Sequence, residues 1–156
     1  MMYYVDAYVG FGSNLGDCSA NLKKAIELLS IKEGIKLGQI SSFYLTEPVG
    51  YKDQPYFTNA VCLFKTTLGV NEFFTNLKTI ECLMGREKTF KWGPRKIDLD
   101  LLLYGDLVLN SPDLKIPHPL MNKRNFVLIP LTEIAPNLIH PVLQVKIQDI
   151  IHLQRI

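Results

Sequence analysis

The apolar positions of this chain change period several times, and each change marks an element. Val5, Ala7 and Val9 alternate with Asp6 and Tyr8, the two-residue period of a strand. Leu22, Ala25, Ile26 and Leu29 then recur at helical spacing, with Gly34 just beyond. Lys36 to Tyr44 predicts a second strand. Thr46 to Pro55 predicts a long loop, punctuated by Pro48, Gly50 and Pro55. Phe57 to Lys65 alternates and is rich in β-formers, a third strand. Val70 to Met84 predicts a second helix with Phe73, Leu77, Ile80 and Met84 on one face, and Gly85 suits the left-handed position that closes it. The basic loop Arg86 to Lys96 leads into a fourth strand that carries Asp98 and Asp100, and Gly105-Asp106 is expected to turn a hairpin into Leu107-Val108-Leu109. Beyond Ser111 prolines obscure the pattern, apart from a short helix over Phe126 to Ala135 interrupted at Pro130. The order strand–helix–strand–strand–helix–strand is the ferredoxin-like split βαβ arrangement. The expected fold is therefore an α+β sandwich with a mainly antiparallel sheet and flanking helices. No repeat, linker or composition break divides the chain, so residues 1–156 are read as one domain.

The fourth strand carries the most informative residues. Asp98 and Asp100 lie two apart and so point to the same side, roughly 6.5–7 Å apart at Cα. Ile97, Leu99, Leu101 and Leu103 are expected to line the other side as a core stripe. Two unpaired carboxylates at that spacing repel by roughly 2 kcal/mol at an effective dielectric of about 20. The pair calls for a cation. Basic side chains are one choice, which would make the pair a structural ion-pair site. Mg²⁺ is the other, because it takes one or two carboxylates together with waters and phosphate oxygens.

The surroundings bear on that choice. The loop before the strand holds Arg86, Lys88, Lys91, Arg95 and Lys96 around Trp92, the only tryptophan. Cations beside a carboxylate pair are the equipment of phosphoryl transfer. Glu81 sits near the end of the second helix, where the dipole disfavours a carboxylate. His118 is held between Pro117 and Pro119, with Arg124 and Phe126 following. Phe57 and Asn59 share one face of the third strand, a ring to stack on and an amide to read a heterocycle edge. There is no P-loop, no H-E-x-x-H and no G-x-S-x-G. Gly10, Gly12 and Gly16 are spaced one residue too widely for a dinucleotide fingerprint and are expected to form a tight strand-to-helix turn.

Composition narrows the class further. The chain is 47% apolar and 21% charged with a net charge of +2, so bulk electrostatics does not favour a nucleic-acid partner. Cys18, Cys62 and Cys82 show no metal-ligand spacing and are expected to be reduced core thiols. The beginning lacks a basic, apolar leader and no run is long enough to span a membrane, so the expectation is a cytoplasmic protein.

Taken together, Trp92-Gly-Pro-Arg95-Lys-Ile-Asp98-Leu-Asp100 resembles the signature of the 6-hydroxymethyl-7,8-dihydropterin pyrophosphokinase family. Gly12-Ser-Asn-Leu-Gly16, Ser42-Phe-Tyr44 with Thr46, Asp53-Gln-Pro55, Ile116-Pro-His118-Pro, Arg124-Asn-Phe126 and Glu133-Ile-Ala-Pro136 extend the resemblance over nearly the whole chain. It implies transfer of pyrophosphate from ATP to the pterin hydroxymethyl group with release of AMP. It assigns two Mg²⁺ ions to Asp98 and Asp100, and phosphate and nucleotide contacts to Arg86, Lys88, Arg95, His118 and Arg124, with Glu81, Trp92 and Leu101 near the nucleotide. Arg86 and Arg95 join the two aspartates as catalytic candidates. The pterin would stack between Phe57 and Phe126 and be read by Thr46, Asn59 and the backbone near Glu47 and Val49. The loops Thr46 to Gln54 and Arg86 to Lys96 resemble lids that close over substrate. Lys88 and Lys91 depart from the arginines common in the family. The expected state is a monomer that binds neither nucleic acid nor membrane, with association to neighbouring folate-pathway enzymes left open. The alternatives from the residues alone are a metal-dependent phosphohydrolase and an RNA-binding ferredoxin-like module.

Overall fold

The structure, a computed structural model, describes residues 3–85 and 93–153. Strand β1 (Val5–Ser13) leads into helix α1 (Cys18–Ser30), whose first turn is capped by Asp17 accepting the Ala20 N–H at 3.1 Å. Then come β2 (Ile35–Ile40), β3 (Tyr44–Thr46), β4 (Phe57–Thr66) and α2 (Val70–Leu83). Gly85 closes α2 at φ +73°, as its position in the sequence predicts. The chain continues through β5 (Asp98–Tyr104), the short β6 (Leu109–Asn110) and β7 (Lys115–Ile116), α3 (Asn125–Ile134) and α4 (Ile147–Leu153).

The main sheet runs β2-β4-β1-β5, antiparallel throughout, with β3 also paired to β4. This is the split βαβ order expected from the element sequence. Helices α1 and α2 cover one face. Phe73, Leu77 and Ile80 of α2 and Leu22, Ala25 and Leu29 of α1 bury against Val9, Phe11, Phe64 and Leu99. Each large apolar side chain removed from water there contributes about 1.5–3 kcal/mol. Helices α3 and α4 cover half of the opposite face, packing Val127, Leu128, Leu131 and Ile150 on Tyr8, Val61, Leu63, Leu102 and Leu103.

Five local expectations are corrected. The second strand is two strands, because the chain bends at residues 41–43. The buried Ser41 hydroxyl accepts the Val61 N–H at 2.9 Å and so keeps the bend fastened to β4. The hairpin after Gly105 forms between β6 and β7 and not with β5. Leu103 does not share a face with Leu99 and Leu101, because β5 bulges: Tyr8 pairs with Leu103 but Val9 pairs with Leu101, leaving Leu102 as the extra residue. Both Leu102 and Leu103 therefore face α3 and α4. Helix α3 runs through Pro130 without interruption. The missing N–H removes a bond only to the first turn, at Phe126, and Pro130 is buried. Helix α4 was not legible at all. Of the cysteines only Cys62 is a core thiol, its pKa pushed up to about 12 by burial; Cys18 is half-buried and Cys82 exposed.

Candidate active site

The half of the α3 face that the helices leave uncovered is a cleft of about 500 Å³. Its floor is built by three strands. In the β1–β5 pairing, Gly10 stands opposite Asp100 and Gly12 opposite Asp98. Neither glycine carries a side chain, so no side chain of β1 stands opposite the two aspartates, and both line the cleft. Gly10 and Gly12 thus lie within the strand, not in a turn as expected; only Gly16, at φ +73°, makes the turn. On the other side of β1, Gly12 pairs with Asn59. A Cβ added to Gly12 would come within 2.9 Å of the Asn59 Oδ1.

Asn59 is 6% exposed and donates from Nδ2 to the Thr46 hydroxyl. Thr46 itself pairs with Phe57 across β3 and β4. The first turn of α3 brings Phe126 to the same cleft, with the Arg124 guanidinium 5.4 Å from its ring centre, a cation–π contact. Glu47 and Val49 complete this end. Gly93, Arg95, Asp98, Asp100 and His118 also line the cleft, with Arg124 between them and Phe126 in sequence. His118 accepts the Leu120 N–H on Nδ1 at 3.2 Å. Burial holds its pKa below the ordinary value; Asp100 acts in the opposite sense, and Arg124 and Lys78 add to the depression. The ring is therefore neutral at neutral pH, with Nε2 left to carry the proton.

All six residues assigned to the pterin, and Arg95, Asp98, Asp100, His118 and Arg124, thus share one cleft. Two others do not line it. Glu81, far from an ordinary surface residue, is 2% exposed; its carboxylate accepts the Leu99 N–H at 2.9 Å and Lys78 Nζ at 3.1 Å. It holds the outer edge of β5 between the two aspartates. Leu101 faces the core beneath α1 and α2, on the far side of the sheet from Asp98 and Asp100. Arg86, Lys88, Lys91 and Trp92 lie outside the described residues.

Among the described residues no group of three metal-ligating side chains occurs. Two carboxylates two residues apart on the lining of one cleft still suit Mg²⁺, which prefers oxygen donors and fills its remaining positions with water and phosphate oxygens. Zinc sites, by contrast, take at least three protein ligands.

Residues 8–136 match the family described as 7,8-dihydro-6-hydroxymethylpterin-pyrophosphokinase. This chain belongs to that family. Among pyrophosphokinase relatives, that of Aquifex aeolicus is 42% identical over 142 residues, covering 91% of this chain and 88% of the relative. That of Bacillus subtilis is 41% identical over 129 residues, or 83% and 77%. The folic acid synthesis protein fol1 of Schizosaccharomyces pombe is 43% identical over 143 residues, 92% of this chain but 20% of that protein. The fold also matches the crystal structure of wild-type Plasmodium falciparum HPPK-DHPS with pteroate, at a TM-score of 0.78 and 16% identity over 99% of this chain and 43% of that one. At that identity the likeness is one of fold.

One residue of this pyrophosphokinase had no role in the sequence reading and has a central place in the structure. Asn14 is 2% exposed. Its Nδ2 donates to Gln54 Oε1 at 2.9 Å and to the Pro55 carbonyl at 3.0 Å, at the end of the first long loop. Its Oδ1 accepts the Arg95 N–H at 2.8 Å, and its own N–H donates to the Arg95 carbonyl at 2.9 Å. The inner ends of both loops are tied to one amide. The only sequence signal was its place in the Gly12-Ser-Asn-Leu-Gly16 motif.

Proposed function

We propose that this cleft divides its work between its two ends, pterin at one and triphosphate at the other. The activity is that of the family, transfer of pyrophosphate from ATP to 6-hydroxymethyl-7,8-dihydropterin in folate biosynthesis. The pterin stacks between Phe57 and Phe126, and the Asn59 amide and Thr46 hydroxyl read its polar edge. Backbone near Glu47 and Val49 closes around the rest. Asp98 and Asp100 hold two Mg²⁺ ions, which when bound supply Lewis-acid charge neutralisation on the phosphates. Arg95 and Arg124 grip phosphate oxygens, Arg124 while lying over the Phe126 ring. His118 donates from Nε2 to a phosphate oxygen, the tautomer that its bond to Leu120 leaves. Glu81 positions the aspartates through the backbone of Leu99. Arg86, Lys88 and Trp92 are assigned to the nucleotide side on the family pattern alone. The two loops exclude water from the reacting phosphate.

The observation that carries this reading is the shared cleft: a metal-suited carboxylate pair and an aromatic, amide-bearing pocket on one floor. A phosphohydrolase would leave Phe57, Asn59 and Phe126 without a task. We further propose a cytoplasmic monomer with no nucleic-acid or membrane partner; no described helix is long and apolar enough to cross a membrane. Relatives carry this domain within longer chains, which makes docking to a neighbouring folate enzyme the association to test by co-elution. The deciding experiment supplies ATP and Mg²⁺ with and without the pterin and follows AMP. AMP formed only with the pterin is expected. Release of inorganic phosphate, or AMP without pterin, would overturn the assignment.

A further inference from the structure

Glu133 lies near the end of α3, exposed, and outside the cleft. An exposed carboxylate normally spends its hydrogen bonds on water. This one accepts three from a single short segment: Ser42 N–H at 2.9 Å and Tyr44 O–H at 2.6 Å on Oε1, and Ser42 O–H at 2.8 Å on Oε2. The Tyr44 bond, chiefly, holds the carboxyl below its ordinary pKa, and the same bond raises that of Tyr44. The charged form is the one engaged.

The segment it holds is otherwise tied to β4, through Ser41 and Thr46, and to the core through Phe43, but none of these ties reaches α3. Strand β3 is three residues long, pairs only with β4, and has Leu45 72% exposed. Yet β3 supplies one wall of the cleft. Tyr44 pairs with Asn59, and Thr46 pairs with Phe57. The opposite wall is Phe126, seven residues before Glu133 on the same helix, or two turns and about 10 Å along its axis. The apolar face of α3 is seated on β4 and β5 through Val127, Leu128 and Leu131, contacts that are strong but without direction. The three bonds to Glu133 are directional, and they join the two walls.

We infer that Glu133 is a positioning residue for the pterin pocket: it clamps β3 to α3 and so sets Thr46 and Asn59 relative to Phe126. This inference rests on the reading that those three residues contact the pterin. In the full-length protein, steady-state kinetics of Glu133→Ala, well below its melting temperature, are expected to show the pterin KM raised about fivefold to tenfold, the scale of one ordinary hydrogen bond. The ATP KM should stay within about twofold. Glu133→Gln, which keeps an acceptor, should recover part of the loss. Tyr44→Phe should give a smaller rise, and the double variant should be no worse than Glu133→Ala alone, since both remove one interaction. Tyr44→Phe and Glu133→Gln carry the test if Glu133→Ala fails to fold. Equal rises in both KM values, or a lower melting temperature with unchanged KM, would overturn the inference and leave only a fastener of the fold. Phe57→Ala and Asn59→Ala, measured alongside, separate the two failures. If they raise the pterin KM and the Glu133 variants do not, the clamp alone is wrong. If they too leave it unchanged, the pocket assignment is wrong and the clamp falls with it.

Discussion

The sheet face that looks toward α3 and α4 is carried by the same strands, β1, β4 and β5, from one end to the other, but its halves are filled differently. At one end Tyr8, Val61, Leu63, Leu102 and Leu103 are buried under the two helices. At the other, Gly10, Gly12, Asn59, Asp98 and Asp100 floor the cleft. Both halves use one backbone frame and one ladder of hydrogen bonds. What differs is side-chain volume. In the apolar half every position is filled, as in any close-packed interior. In the polar half the positions facing the aspartates are glycines, which line the cleft with backbone alone. The bulge at Leu102 lies at the border. It turns both Leu102 and Leu103 toward α3 and α4, and so completes the apolar half immediately beside Asp100.

The sharpest break is expected from the acidic half. Asp98→Ala or Asp100→Ala should lower turnover by at least about 10²–10³-fold, the scale of losing one group that stabilises transition-state charge. Circular dichroism should show the fold retained. Unfolding of both variants would instead make the pair structural. Leu102→Ala addresses the apolar half and should do the reverse. It should cost about 2–5 kcal/mol of stability in urea titrations while both KM values hold. A large loss of pterin affinity with intact stability would erase the distinction between the halves.

Gly12→Ala tests the seam between carboxylate and amide. The new methyl would meet Asn59 Oδ1 at 2.9 Å, so the amide must turn away from Thr46. A pterin KM raised roughly tenfold, with the ATP KM little changed, is expected from losing one well-placed hydrogen bond. The smallest effect concerns pH. His140, in the turn between α3 and α4, accepts the Val142 and Leu143 N–H groups on Nδ1, and burial lowers its pKa from 6.5. The fold favours the neutral ring. Its contribution is therefore complete above pH 6.5 and is lost as pH falls through the lowered folded-state value. Urea midpoints should drop as pH falls below 6.5, and His140→Gln should flatten part of that slope. The remainder belongs to His118, which shifts the same way. An unchanged slope would mean the turn does not sense protonation.

Much of this molecule was legible where a single period dominates. Val5 to Val9, the α1 and α2 stripes and the Asp98–Asp100 spacing each predict one geometry, and the strand order followed from their succession. Legibility failed where two readings were locally equal. Leu101-Leu102-Leu103 alternates equally well in either phase, and only pairing with Tyr8 and Val9 decides which leucine is the extra one. Two-residue strands such as β6 and β7 leave no period to read. In the site, the groups that act by chemical type were visible from their residue identities and from the family resemblance. Residues that act through absence or through polar reach were not. Gly10 and Gly12 looked like a turn, and Asn14 looked like part of one. Their roles depend on partners many positions away.

Asn14 also bears on the entropy of closing the cleft. A loop free at both ends must order every residue when it folds over substrate, at about 1–2 kcal/mol of backbone entropy for each. Here Gln54, Pro55 and Arg95 are already fixed before any ligand arrives. That part of the ordering is met on folding, so a ligand closing the cleft would not have to supply it. A side chain outside the cleft lining thereby anchors a segment on each side of it.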